Sequence, residues 1–292
     1  MKRPTVNRGV REILPFLFPL GIFILGFLLL PVAGGFWVSL WRDVTFLSRK
    51  FVGLENYVRL LQDFQFWNAA AFTLLFAGCS VILELVLGTI VALVINEKIP
   101  LRGLFRGVAL LPWVIPCVIG ARIWQLILRY DYGLANFVLE KSLGRSVNWL
   151  GSPSGAFFSL VGADVWRTTP FVAIIILAGL QTVRGVLYEQ AKVDGAGIWQ
   201  RFWKITLPCL RPFLIVALLF RTIDALRVFD IIYVITGGGP GGRTTSLSLY
   251  GYKYFLLGDF GYGAAVSVFL FLLAFVLALC YLRVGRFREV VL

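Results

Sequence analysis

Six long apolar runs constrain this chain more than any other feature. They lie at about 13–41, 66–95, 104–128, 155–181, 212–235 and 263–283, separated by polar, Gly- or Pro-containing breaks. Each supplies the roughly 20 residues that a helix needs to cross the hydrocarbon core of a bilayer. Composition agrees: 59% of the residues are hydrophobic and 15% charged, against about 45–50% and 25% in soluble domains. A mean hydropathy of +0.85 leaves too little polar surface to coat a water-soluble globule. The expected fold class is therefore an all-α integral membrane protein with six transmembrane helices.

The formal charge is nonetheless +13, from 28 basic and 15 acidic residues. A nucleic-acid binder would be basic but rich in charge, so no nucleic-acid partner is expected. Topology accounts for the surplus. With the N-terminus inside, the inside segments carry 15 Lys and Arg and the outside loops nine. By the positive-inside bias, both termini are expected in the cytoplasm. The basic start (Lys2, Arg3, Arg8, Arg11) also resembles a signal peptide. Val32-Ala33-Gly34 is a poor cleavage site, however, and the run is long, so an uncleaved first helix is the better reading. The expected organisation is a cytoplasmic tail (1–12), a six-helix membrane domain (13–283) with a long cytoplasmic loop at about 182–211, and a second tail (284–292), with membrane lipid around the helices.

Absences remove whole reaction classes. There is no histidine, which excludes His-based triads and His-ligated zinc. Cys79, Cys117, Cys209 and Cys280 lack CxxC spacing and are expected to pack as small hydrophobes. Residues 237–244, Gly-Gly-Gly-Pro-Gly-Gly-Arg-Thr, fit P-loop spacing only if Arg243 replaces the lysine. The segment follows a membrane span and its amide run is interrupted by Pro240, so a flexible turn is expected and no nucleotide site.

Apart from Arg106 and Arg283, which lie at run ends and are counted with the inside segments, eight charges fall inside the apolar runs: Arg122, Arg167, Arg221, Arg227, Glu84, Asp164, Asp224 and Asp230. Each costs on the order of 2.5–3.5 kcal/mol at mid-bilayer by insertion scales. Asp164/Arg167, Arg221/Asp224, Asp224/Arg227 and Arg227/Asp230 have i,i+3 spacing, which on a helix allows pairing. Two readings remain open: a polar pathway along the fourth and fifth spans, or structural ion pairs and snorkelling side chains. The local sequence Trp166-Arg167-Thr168-Thr169-Pro170 combines a helix kink with hydroxyls, an aromatic ring and a charge, which suits contact with a solute. The same hydroxyls equally suit bonding to the kinked backbone.

In the long cytoplasmic loop, Glu189-Gln-Ala-Lys-Val-Asp-Gly195-Ala196 reads as a short helix stopped by Gly195. A second helical pattern runs from Ile198 to Thr206, ended by Leu207-Pro208, with Pro212 starting the next span. The loop is either an amphipathic lid on the inner headgroups or a docking element for a soluble partner.

These residues carry a resemblance. Glu189, Ala191, Gly195, Ile205, Leu207 and Pro208 occupy the key positions of the EAA loop of type I ABC-importer permeases, with Gln190 departing at the second position. Residues 51–57 (Phe-Val-Gly-Leu-Glu-Asn-Tyr), 111–116 (Leu-Pro-Trp-Val-Ile-Pro) and 229–240 resemble carbohydrate-uptake permeases. Trp166 to Phe171 and Leu219 to Asp224 are most similar to trehalose/maltose-type members.

The resemblance implies the permease subunit of an ATP-driven sugar importer in a prokaryotic inner membrane. It implies a second homologous permease subunit, a dimer of ATPase subunits carrying ATP and magnesium, and an extracytoplasmic sugar-binding protein. The chain itself would bind no cofactor and be no enzyme. Glu189, Ala191, Asp194, Gly195 and Ala196 would contact the ATPase. Asp164, Trp166, Arg167, Thr168 and Phe171, with Arg221, Asp224, Ala225 and Val228, would line the sugar pathway. Two alternatives of other classes are an ion-gradient-driven transporter using Glu84 and Asp224, and an intramembrane enzyme, which the lack of a nucleophile–base motif disfavours.

Overall fold

A computed structural model describes residues 17–97 and 100–284. The expected tails apart from residue 284, the first four residues of the expected membrane domain (13–16) and Lys98 of the inside count lie outside the described residues. In chain order the helices are α1 (Leu17–Ser39), α2 (Glu55–Gln62), α3 (Phe64–Asn96), α4 (Arg102–Val114), α5 (Cys117–Ile127), α6 (Leu134–Leu143) and α7 (Pro153–Thr182). There follow α8 (Gly185–Val193), α9 (Ile198–Arg201), α10 (Leu207–Leu226), α11 (Asp230–Ile235), α12 (Leu247–Leu256) and α13 (Phe260–Val284). A two-stranded antiparallel sheet, β1 (Trp41–Arg42) and β2 (Lys50–Phe51), pairs Trp41 with Phe51 and Arg42 with Lys50. The chain divides into two units, one from Met1–Asp63 with Gly251–Phe269, the other from Phe64–Tyr250 with Leu270–Leu292.

In the first unit, residues 51–57 close the end of α1. The last carbonyls of a helix have no partner within it. Here Val52 and Gly53 N–H both donate to Leu40 O at 3.0 Å. Buried Asn56 donates through Nδ2 to Ser39 O (2.8 Å) and Trp41 O (2.9 Å). The start of α13 is capped with the same economy: Phe260 N–H donates to Asp43 O (2.9 Å) and Tyr262 N–H to Asp259 Oδ1 (3.1 Å).

In the second unit, α3, α7 and α10 pack around Ala92, Val172, Ala173, Ile176, Leu210 and Ala217. Small residues let these helices approach, as expected where lipid supplies no hydrophobic drive between them. A Cβ on Gly88 would fall 2.6 Å from Val172 Cγ1, and one on Gly179 would fall 2.6 Å from the Phe213 ring.

Among the described residues, four helices are long and apolar enough to span: α1, α3, α7 and the Phe260–Arg283 stretch of α13. Two expected runs take another form. The third bends by 90° between α4 and α5, giving a fifth span if the pair is counted as one. Its hinge is Ile115, held extended (φ −65°, ψ 128°) ahead of Pro116, because a following proline ring crowds the helical conformation. The fifth run is shifted. Leu207-Pro208 does not end a helix: α9 continues through a π-helical turn at Phe202–Thr206 into α10, and Pro212 lies inside it. In the wide turn the Leu207 N–H donates to Phe202 O, and this altered register accommodates the donor that Pro208 lacks. The run then stops at Leu226, and residues 227–229 separate it from α11.

Candidate functional site

Buried charge in the second unit is organised around one arginine. Arg221 of α10, 2% exposed, forks onto Glu84 of α3 through Nε to Oε2 (2.5 Å) and Nη2 to Oε1 (2.8 Å). The same Nη2 reaches Asp164 Oδ2 of α7 at 3.1 Å, and Nη1 meets Asp224. The Thr168 hydroxyl lies 2.6 Å from both Glu84 Oε1 and Asp164 O. Arg167 stands 3.8 Å from Asp164, and Arg227 donates to Asp224 Oδ1 through Nη2 at 3.2 Å. Three carboxylates and three guanidiniums therefore balance, and planar guanidinium forks suit such bidentate pairing. Three of the four expected i,i+3 pairs form. Arg227/Asp230 does not, because α10 has ended before Arg227 and helical spacing no longer applies.

The outer half of this network faces open space. A cavity of about 280 Å³ is lined by Asp164, Arg167, Arg221, Asp224, Ala225 and Val228, together with Cys117 and residues 227 and 229–231. A second, of about 400 Å³, shares Arg167, Arg221, Asp224 and Arg227 and adds Thr168, Phe171, Trp113, Phe220 and Ile223. The second lies within, and the first just below, the range of about 300–1,000 Å³ that small-molecule sites occupy. Trp113 and Phe171 form a tilted pair at 5.7 Å between centroids, with Phe220 edge-on to Phe171 at 6.3 Å. The result is an aromatic wall beside hydrogen-bonding charges. Arg167 Nε, buried, has no hydrogen-bond partner among the described residues.

Of the residues expected on the pathway, Trp166 alone falls outside both linings. Its ring packs edge-on against Trp124 at 6.0 Å. In the same stretch, Thr169 hydroxyl bonds Val165 O at 2.6 Å, so this hydroxyl serves the backbone. Arg122 also serves structure: it donates to Gln125 Oε1 (2.6 Å), whose amide bonds Val234 O (2.8 Å) at the end of α11. Trp113, Phe220 and Glu84 were missing from the expected site. The glycine-rich segment is internally tied rather than slack, with Thr244 Oγ1 on Gly239 O (2.6 Å) and near Thr236 Oγ1 (2.9 Å).

The Glu189–Ala196 motif has a definite shape. Helix α8 ends with Ala196 N–H donating to Ala191 O (2.8 Å) and Gly195 N–H to Lys192 O (3.1 Å). With Gly195 at φ +75°, this is a Schellman stop. Glu189, Asp194 and Gly195 are exposed, and Ala191 and Ala196 partly so. Tyr188 Oη pairs with Thr206 Oγ1 at 2.9 Å, tying the two arms of the bend.

Residues 84–288 match the family described as binding-protein-dependent transport system inner membrane components. The chain belongs to this family. It is the permease subunit of an ABC importer, an integral multi-pass protein of the inner membrane, and permease subunits of this family are not themselves enzymes. The trehalose/maltose transport system permease protein of Thermococcus litoralis is 53% identical over 99% of this chain and 97% of its own. The trehalose transport system permease protein of Mycobacterium tuberculosis is 39% identical over 87% and 81%. In a crystal structure of a bacterial alginate ABC transporter, bound to a periplasmic protein holding an alginate pentasaccharide, one chain matches with a TM-score of 0.82. That chain is 27% identical, with 97% of the permease and 98% of the neighbour covered. Membership in an ABC importer family does not favour the ion-gradient alternative.

Proposed function

We propose that this permease carries a neutral disaccharide such as trehalose or maltose, received from an extracytoplasmic binding protein. The supporting observation is the paired cavity between α7 and α10. Aromatic faces at Trp113 and Phe171 suit the apolar faces of pyranose rings. Arg167, Asp224 and Arg227 offer hydroxyl partners whose charges are already neutralised within the network, so an uncharged solute leaves no charge unpaired. The 53% identity to a trehalose/maltose permease points the same way.

The Glu189–Gly195 bend, with Ala191, Asp194 and Ala196, serves as the seat for an ATPase dimer that holds ATP and magnesium. Its exposed carboxylates and rigid Schellman turn suit insertion into a protein cleft better than contact with lipid phosphates. A second homologous permease subunit completes the pathway. Both termini are cytoplasmic and the domain at 13–283 crosses the membrane six times, with the bent α4–α5 pair and α10 as the two irregular crossings.

The test is uptake by proteoliposomes holding the four-component complex and sugar-loaded binding protein. Labelled trehalose should enter only with ATP inside. Uptake that ignores ATP but collapses with an ion gradient, or no uptake of any neutral disaccharide, would overturn the proposal.

A further inference from the structure

Phe46 combines two unfavourable features. It is the third residue of a turn closed by Leu47 N–H on Val44 O at 3.0 Å. Its φ of +69° lies in the left-handed region that turns of this kind reserve for glycine. Its ring is also fully exposed, so no burial within the chain offsets either feature. Strain of this sort persists only where the surroundings enforce it, and here they do. Thr45 N–H donates to Gly258 O at 2.9 Å, and Val44 bridges Asp259. Gly258, at φ +80°, has no room for a side chain against Thr45.

These bonds fix the depth of the turn. Asp43 O accepts the Phe260 N–H at the first turn of α13, so residues 44–47 sit where that span begins. Its 25 residues extend about 37 Å, more than the roughly 30 Å of hydrocarbon. A span of this length can set its first turn at headgroup level, and Phe46 lies beside that turn. Exposed Leu47 and Leu257 flank the turn. In the same unit Leu54, Val58 and Leu61, at spacings of four and three, display an exposed apolar stripe along α2. Basic Lys50 and Arg49 adjoin, the Arg49 guanidinium lying 4.9 Å over the Trp41 ring and 3.4 Å from Asp43.

We propose that the turn at 44–47 and the exposed stripe of α2 form an interfacial anchor in a phospholipid surface, with Phe46 as the tip that enters the acyl boundary. An apolar face with a lysine at its edge, at the end of a span, matches this environment: rings and leucines reach the acyl chains while Lys50 meets lipid phosphates. The strained backbone then has a purpose, because it aims Phe46 outward at a fixed depth.

The test uses the full chain with its four cysteines replaced, carrying Phe46→Cys labelled with an environment-sensitive fluorophore. It is reconstituted in phosphatidylethanolamine/phosphatidylglycerol vesicles containing acyl-brominated lipid. The proposal expects blue-shifted emission, strong quenching by the brominated lipid, and iodide quenching cut to a small fraction of that of free dye. Leu257→Cys, away from the strained position, should behave alike. Full iodide quenching with none from brominated lipid at both sites overturns the proposal. So does protection from iodide that arises only when a soluble binding protein is added, which would make this face a protein-docking surface.

Discussion

Replacing Glu84 and Arg221 singly and together tests whether the fork between them holds α3 against α10. Arg221 is 2% exposed and Glu84 fully buried. In Glu84→Gln the amide oxygen keeps one guanidinium N–H, but the network changes from three charges of each sign to an excess of one positive charge. In Arg221→Gln, Glu84 retains the Thr168 hydroxyl at 2.6 Å, and Asp164 retains only Arg167 at 3.8 Å as a cationic partner. Stranding a buried charge costs about 3–5 kcal/mol, which Arg221→Gln should approach because it strands Glu84. Glu84→Gln leaves Arg221 on Asp164 and Asp224 and should lose about 1–3 kcal/mol. The double variant removes both charges and lets two amides face each other, so it should lose about as much as Arg221→Gln alone, not the sum. The expected coupling then equals the Glu84→Gln loss, about 1–3 kcal/mol, above the roughly 0.5 kcal/mol within which independent sites add. Unfolding midpoints of the full chain in one detergent would read it, Arg221→Gln falling by on the order of 10 °C and Glu84→Gln by less. A double variant whose loss equals the sum of the singles would refute the reasoning, because the two side chains would then not share one interaction.

Helix approach gives a second expectation. Gly88→Ala would put its Cβ 2.6 Å from Val172 Cγ1 and 3.2 Å from Ala173 N, and overpacking of this kind costs about 1–3 kcal/mol. Thermal unfolding should show it, while Gly162→Ala, with open space around its Cβ, should be near neutral. At the bend, Gly195→Val meets open space but a left-handed backbone, worth about 1–2 kcal/mol. It should separate ATP hydrolysis from uptake in the reconstituted complex and leave the membrane fold intact; coupled turnover at the normal ratio would count against the docking role. In the cavity, Phe171→Ala should raise the sugar concentration needed for half-maximal uptake by roughly tenfold, as expected for losing an interaction of about 1.4 kcal/mol. Trp166→Phe, directed at Trp124, should not. Equal effects from the two would remove the distinction drawn between them.

What was legible in the sequence follows from what is local. Helices α3, α7 and α13 emerge from long, mostly apolar runs, because a membrane-spanning helix must be apolar along most of its length. The Gly195 stop is readable because only backbone freedom is required there. Pro116 signals the α4–α5 bend, yet not its 90° size, which packing sets. The passage of α9 into α10 through Pro208 was hidden, since a π-helical turn changes hydrogen-bond register without changing composition. Glu84 was visible as a charge alone in a 33-residue helix, with no oppositely charged neighbour at helical spacing. That isolation was the signal for a distant partner, but nothing in the spacing names Arg221, 137 positions away.

The same geometry resolves the two readings of the membrane charges by dividing them. Glu84, Asp164 and Arg221 are shut away from solvent and tie three helices. Asp224 and Arg227 are exposed by 41% and 72% and open onto the cavities. Arg221 belongs to both halves, because one end of its guanidinium holds Glu84 and the other meets Asp224 at the cavity wall. A solute that draws Asp224 away would thus reach the packing of α3, α7 and α10 through a single side chain. Structural pairing and a polar pathway are then two ends of one network. Asp224→Asn should accordingly alter both the sugar response and the unfolding midpoint, whereas Arg227→Gln should alter the sugar response alone. If the two variants leave the midpoint equally unchanged, the cavity and the helix lock are separate after all.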